Sequence, residues 1–310
     1  MKAIVIHAYG GPGVLKVEEV PDPIPGEGEV LVKTVATSVN PIDFKIRSGA
    51  MRNFFPITFP VVLGVDVSGL VEAAGLGVTK FRPGDKVFAP ASETYASFCV
   101  VKEKDLAHMP SGLDLEFAAA LPTVTLTGAQ LAALATSQSR EGTVLVAGAT
   151  GNVGRSAVFI AKERGFTVLA GVRAHHRQEA EKLGADSVVA LDDEKTLGEL
   201  DPVDAVADTV GGKTAELLIA KVKPGGVFAS VLGSPANAAA HPQVNVKAMR
   251  VIPDPTMLVH MAEAVRDGKL SIPVAEKFPL SAASQAHAAA ERGGGKILLL
   301  ASYLHDAGTE

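Results

Sequence analysis

The stretch VLVAGATGNVGRSAVFIAK, residues 144–162, constrains the fold of this chain more than any other. Residues 144–147 are all apolar, the pattern of a short strand buried on both faces of a parallel sheet. Residues 152–162 set Val153, Ala157, Val158 and Ala161 on one face of a helix. Gly148, Gly151 and Gly154 mark the junction. Glycines there let the backbone turn sharply and approach a pyrophosphate, whose charge meets the unpaired N–H groups and positive dipole end of the following helix. Glycines also serve plain turns, and the two-residue spacing here departs from the commoner fingerprint. The strand before and the helix after favour a nucleotide site, with Gly148, Thr150, Gly151, Asn152, Val153 and Gly154 as the expected contacts.

On either side of this stretch the chain has two textures. From residue 2 to 101 short alternating runs (2–7, 15–20, 29–38, 61–71, 84–89, 94–101) are separated by glycine and proline turns, the first two forming a hairpin, which predicts a small barrel-like β unit. Helical spacing sets in at 115–121 and 126–134. Apolar strands at 144–147, 167–172, 187–191, 203–207 and 227–231 then alternate with helical runs, which predicts a doubly wound parallel sheet. A last strand-like step is expected at 249–252, before Pro253 and Pro255, then a helix over 257–267 and a closing strand over 296–300. The last 55 residues, 256–310, are too few for a core of their own and are expected to return to the first unit. The expected domains are therefore 1–118, 119–255 and 256–310, with a cleft between the first unit and the inserted one. The tail 305–310 is expected to be mobile.

Bulk chemistry narrows the function. A net charge of −5 without any basic stripe, and aromatics at only 5%, argue against nucleic-acid binding. With 47% hydrophobic and 20% charged residues the chain reads as an ordinary globular protein, and no span or signal segment is evident, so no membrane partner and a cytoplasmic location are expected. The single cysteine, Cys99, sits between Phe98 and Val100 in a strand pattern and reads as an inert buried thiol. Eight histidines show no ligand spacing, so no metal is expected.

With these pieces placed, the sequence resembles the zinc-independent quinone oxidoreductase and enone reductase branch of the medium-chain dehydrogenase/reductase superfamily. The resemblance covers nearly the whole chain: SVNPIDFKIRSG (38–49), LGVDVSGLVEAAGLGVTKFRPGDKV (63–87), Ala119, Leu121, Pro122, Thr127 and Gly128, the variant glycine loop, DTVGG (208–212), KPGG (223–226) and GKILL (295–299). It implies an α/β fold with a GroES-like β-barrel domain and an inserted Rossmann domain, assembled as a homodimer. Zinc members carry Gly-His-Glu where this chain has Gly64, Val65 and Asp66, and a four-cysteine lobe that this chain lacks. Without a Cys or His neighbour, Asp66 reads as a structural carboxylate near the domain interface.

The cofactor follows from the second strand of the sheet. An NADH site wants an acid about 20 residues past the loop for the ribose hydroxyls. Residues 165–178 contain none, and carry Arg173, His175, His176 and Arg177 instead, which suit the ribose phosphate of NADPH unless they simply form a solvated helix start. Thr127, as a cofactor ligand or a helix-turn cap, and Leu232 and Lys296 complete the expected cofactor contacts.

For the acceptor, no Tyr-x-x-x-Lys pair follows Tyr9, Tyr95 or Tyr303, which disfavours the short-chain reductase mechanism. The resemblance implies hydride transfer to a small quinone or to the activated double bond of an enone, with Asn40 and Lys45 near the nicotinamide. Lys45 resembles the plant-type enone reductases, where bacterial quinone reductases tend to carry Tyr. Either Lys45 or Asn40 reads as the group polarising the carbonyl; the plainer readings are an exposed loop lysine for Lys45 and a turn residue satisfied by its own backbone for Asn40. Arg47 and Arg52, with Phe54, Phe55, Ile57 and Phe59, are expected at the cleft mouth or in the core. An NADPH-binding redox sensor without turnover is the alternative from another class, and an enoyl-thioester reductase, for which Arg47 and Arg52 alone supply little charge, a third.

Overall fold

The computed structural model describes residues 1–293 and 295–301; Tyr303 and the tail 305–310 lie outside them. It divides into two compact units, Met1–Thr123 together with the chain from Pro253 onward, and Val124–Ile252.

The first unit begins with β1 (Lys2–Ile6), β2 (Lys16–Glu19), β3 (Glu29–Val39), the short helix α1 (Pro41–Arg47), β4 (Val61–Val62), β5 (Asp66–Ala74), β6 (Lys86–Pro90), β7 (Phe98–Lys102), β8 (Ala107–His108) and α2 (Leu115–Ala118). Helix α3 (Pro122–Ala135) leads into the second unit, which holds β9 (Thr143–Ala147), α4 (Asn152–Glu163), β10 (Thr167–Val172), α5 (Arg177–Ala180), β11 (Ser187–Ala190), α6 (Glu194–Glu199), β12 (Val203–Asp208), α7 (Gly212–Ile219), β13 (Val222–Ser230) and β14 (Asn245–Ala248). The chain then supplies α8 (Pro255–Arg266), β15 (Val274–Pro279), α9 (Ala283–Glu291) and β16 (Lys296–Leu300).

In the first unit β1 pairs antiparallel with β2, Lys2 opposite Glu19, and with β4. The larger sheet runs β15-β16-β3-β5-β6-β8, with β7 also on β3. Strand β3 is its spine: burial alternates from Glu29 to Val35 and is continuous from Ala36 to Val39. The alternation is that of a sheet with one face on a core, here Val30, Val32, Val67, Val71, Val87 and Val101. A second core joins Ile4, Ile6, Val39 and Leu63 to Leu280, Ile297 and Leu299, so the C-terminal segment completes what the N-terminal strands begin.

The second unit is a six-stranded sheet ordered β11-β10-β9-β12-β13-β14, parallel at every pairing. This is the doubly wound order in which ligands bind at the carboxyl ends of the strands, where the order reverses. Val144, Leu145, Val146 and Ala147 of the central β9 are fully buried. The last strand is Asn245–Ala248 rather than 249–252. As an edge strand it is half exposed and does not read as an apolar run, and its pairing with β13 ends at Ala248, ahead of Pro253 and Pro255. Elements α1, β15 and α9 also carry little apolar periodicity; α9 is mostly alanine. Among the described residues no helix is long and apolar enough to cross a membrane.

Candidate functional site

In the second unit the glycine loop between β9 and α4 is held by its own backbone. Gly148 takes φ +76°, a left-handed conformation that disfavours a side chain, and the N–H groups of Gly148 and Ala149 both donate to the Gly171 carbonyl of β10, at 2.8 and 3.2 Å. Gly151 caps α4 and donates to Gly148 O at 3.0 Å. A Cβ on Gly154 would lie 2.1 Å from Gly148 O, so this glycine lets the helix close onto the loop. Gly128 does the same for α3, where a Cβ would meet Val153 O at 2.3 Å. The N–H groups of Asn152, Val153 and Gly154 form the first turn of α4, which has no preceding turn to accept them. The cradle thus presents donors and a positive helix end, which fits a pyrophosphate.

Arg155, which the sequence reading overlooked, braces this loop. Its Nε donates to Thr150 O at 2.8 Å, and its guanidinium pairs with Glu179 on α5. Glu179 also meets His176 Nδ1 at 3.2 Å, so one buried arginine links the glycine loop to the segment that follows β10. In that segment Arg173, His175 and Arg177 are exposed. One acid from beyond residues 165–178 reaches it: Asp192, whose Oδ1 accepts the Ala174 N–H at 2.7 Å. On the next strand Asp208 is fully buried, accepts the N–H groups of Val210 and Gly211 at 2.9 and 3.0 Å, and receives Ser230 Oγ at 2.7 Å. It shapes the turn that carries Thr209 against Gly148. Leu232 is half exposed beside Gly211, and Thr127 is half buried on α3.

In the first unit strand register gathers a buried polar cluster. Ile297 opposite Val39 brings Lys296 beside Asn40, and Ala36 opposite Ser68 brings Ser38 level with Asp66. The Asp66 carboxylate, fully buried, accepts Ser38 Oγ at 2.5 Å, Asn40 Nδ2 at 2.7 Å and Lys296 Nζ at 3.2 Å on one oxygen, and the Thr123 N–H at 2.7 Å on the other. Lys296 Nζ also donates to Asn40 Oδ1 at 2.8 Å. The structure therefore finds Lys296 4% exposed and committed to these two partners, and Asn40 2% exposed with its amide directed at Asp66, at Ser38 Oγ (3.3 Å) and at Lys296.

Asn40 also starts α1. Its side chain and the Asp43 carboxylate form a reciprocal capping box, Asn40 N–H donating to Asp43 Oδ2 at 2.8 Å. Proline at the first helical position suits the turn. The helix leaves Lys45 half buried and turns Arg47 inward, where it is 1% exposed and pairs with Glu291 at 2.6 Å. Arg47 is thus no part of a basic approach for a carrier. Phe54 is exposed, while Ile57 and Phe59 pack on the core of the first unit. Cys99 is buried, and burial pushes its thiol up to about 12.

Among the described residues no group of three or more His, Cys, Asp or Glu is placed to hold a metal ion. Asp66 is the carboxylate at the position of the zinc signature, and its oxygens are taken by Ser38, Asn40, Lys296 and Thr123. These residues do not fit a zinc ion.

Two family descriptions match the chain, an alcohol dehydrogenase GroES-like domain over residues 26–136 and a zinc-binding dehydrogenase over 183–299. A chloroplast envelope quinone oxidoreductase homolog of Arabidopsis thaliana is 31% identical over 96% of this chain and 98% of its own length. The solved quinone oxidoreductase of Coxiella burnetii superposes with a TM-score of 0.85 at 29% identity, over 97% of this chain and 99% of that one. That of Escherichia coli, solved as a complex with NADPH, reaches 0.82 at 27%, over 97% and 100%. With this coverage and the barrel and doubly wound sheets in place, the chain belongs to the quinone oxidoreductase family of the medium-chain dehydrogenase/reductase superfamily.

Proposed function

We propose that this oxidoreductase uses NADPH to reduce a small quinone or the activated double bond of an enone, without zinc. The observation that carries the reading is the pairing of a glycine cradle at the start of α4 with an exposed Arg173, His175 and Arg177 segment. The nearby acid, Asp192, accepts a backbone N–H there. Gly148, Thr150, Gly151, Asn152, Val153 and Gly154 hold the pyrophosphate, Arg173, His175 and Arg177 the ribose phosphate, and Thr127 and Leu232 flank the cofactor. The NADPH complex of the Escherichia coli relative supports this.

NADPH, when bound, supplies the hydride, and the protein's task is to orient the acceptor and stabilise the charge that grows on its carbonyl oxygen. Lys45 donates to that oxygen. Asn40, whose amide is spent within the cluster, fixes the start of the helix that carries Lys45. Lys296 places a resident cation against Asp66, the carboxylate at the zinc-signature position.

The test is NADPH consumption against a panel of quinones and α,β-unsaturated ketones and aldehydes. Turnover with at least one class is expected; cofactor binding without oxidation across the panel rejects the enzyme reading. Arg173→Ala addresses the cofactor. A charge-assisted hydrogen bond contributes about 1.5–3 kcal/mol, so NADPH affinity should fall by about one to two orders of magnitude while NADH binding holds. An equal loss for both cofactors sinks the assignment.

A further inference from the structure

Arg155 stands in an unfavourable place for a cation. It lies in the first turn of α4, at the positive end of the helix dipole, and is 8% exposed. Burying a guanidinium is costly unless its donors find partners. Side chains on a helix lean toward its N-terminus, which carries Arg155 Nε back to Thr150 O at 2.8 Å, and the guanidinium pairs with Glu179 on α5.

Glu179 is the middle of a longer line. One of its carboxylate oxygens meets Arg155, and the other lies 3.2 Å from His176 Nδ1. The His176 ring lies against that of His175, with centroids 4.1 Å apart, and the His176 N–H donates to Arg173 O at 2.9 Å. The line therefore runs from Thr150 in the glycine loop to Arg173 and His175 in the cationic segment, two stretches that all of α4 and β10 separate in the chain. A carboxylate in this place is as odd as the arginine, because charge alone sets an acid against a bound phosphate.

We infer that Arg155 and Glu179 are positioning residues, a brace that fixes the segment after β10 relative to the glycine cradle and so sets the preference of this chain for NADPH over NADH. The pyrophosphate and the ribose phosphate of NADPH are joined through one ribose, so a protein gains from both only if its two anion sites are held at a matching spacing beforehand. NADH engages the cradle alone and is indifferent to that spacing. The brace accounts for both oddities: the cation against the dipole and the acid beside the cations offset each other's charge, and geometry is their joint effect. The inference rests on the assignment of Arg173, His175 and Arg177 to the ribose phosphate.

The test measures NADPH and NADH dissociation constants by nicotinamide fluorescence, beside amide hydrogen exchange of the full chain without cofactor. By charge alone, removing an acid from a phosphate site tightens NADPH, so the sign of the change decides. In Glu179→Ala, a substitution of a partly exposed side chain, NADPH should bind about tenfold more weakly and NADH within about twofold of the parent. The amides of residues 150–152, across the brace from the substitution, should exchange faster. Arg155→Met also frees Thr150 O and should weaken both cofactors, NADPH the more; adding Glu179→Ala to it should cost nothing further, since the brace is already cut. NADPH binding that tightens or holds in Glu179→Ala, an equal loss for both cofactors, or losses that add in the double variant each overturn the inference. If the unmodified chain binds NADH as tightly as NADPH, the assignment of the segment to the ribose phosphate fails, and the selectivity with it. Faster exchange at 150–152 in Glu179→Ala still upholds the link from α5 to the loop in that case, and unchanged exchange overturns the link as well.

Discussion

Two lysines that look alike in the sequence have opposite surroundings. Lys296 is 4% exposed and holds Asn40 and Asp66, while Lys45 is half buried on a seven-residue helix. On the proposed function Lys45 is the one that meets the substrate oxygen, so Lys45→Ala should lower kcat by about 10²–10³ and leave the NADPH dissociation constant within a factor of two or so. A normal turnover number in that variant removes Lys45 from the chemistry. For the proposed acceptor side the sequence offered the names Asn40 and Lys45 and nothing of their surroundings. Their different work depends on Ser38, Asp43, Asp66 and Thr123, and no local pattern connects those residues. On the cofactor side Gly148 and Gly154 were legible because a positive φ and a close backbone approach both demand glycine. Arg155 was not, since an arginine inside an amphipathic helix ordinarily faces water.

At the scale of elements, the packing of α4 on its loop separates two glycines that a sequence treats alike. In Gly154→Ala the new methyl would sit 2.1 Å from Gly148 O and 2.8 Å from Ala149 Cα, both backbone atoms, so the helix start must move. The expected loss is about 1–3 kcal/mol of stability and at least tenfold in NADPH affinity. Gly198 on α6 has nothing within 4 Å of a Cβ and an ordinary helical backbone. Gly198→Ala should stabilise by about 0.5–1 kcal/mol without touching the cofactor. Urea midpoints and NADPH titrations of the two variants decide the matter, and matching behaviour would discard the role given to Gly154. Elements with strong periodicity, such as β9 and α4, were legible to within a residue or two. Strand β14 was placed four residues late and α9 was missed, because an edge strand and an alanine-rich helix bury too little apolar area to leave a signature.

For the molecule as a whole, two buried groups oppose each other in pH. His287 titrates at about 3 against an ordinary value of 6.5, so below 6.5 the unfolded chain binds a proton that the folded chain refuses. Its contribution to stability is complete above 6.5 and declines as pH falls toward 3. Asp43, at about 7 against 3.8, keeps a proton that the unfolded chain has released; its contribution is complete below 3.8 and is lost as pH rises through 7. Across the pH range between these ordinary values the two slopes cancel. Asp43→Asn should unmask the His287 slope, its stability falling relative to the parent by about 1.4 kcal/mol per unit of acidification. Parallel pH dependence of the two proteins in urea unfolding would refute this balance.

By itself the sequence determined the fold class, the glycine loop and the cationic segment after β10, because strand and helix periods, turn glycines and a missing acid are properties of neighbouring residues. Tertiary structure alone decided which distant side chains meet. Lys296 reaches Asp66 across 230 residues and Arg47 reaches Glu291 across 244. The first contact exists because β16 lies beside β3, and β3 beside β5, in one particular register, the second because α1 and α9 pack together. A shift of one residue along any of these strands would turn Lys296 or Asp66 to the opposite face and dissolve the cluster.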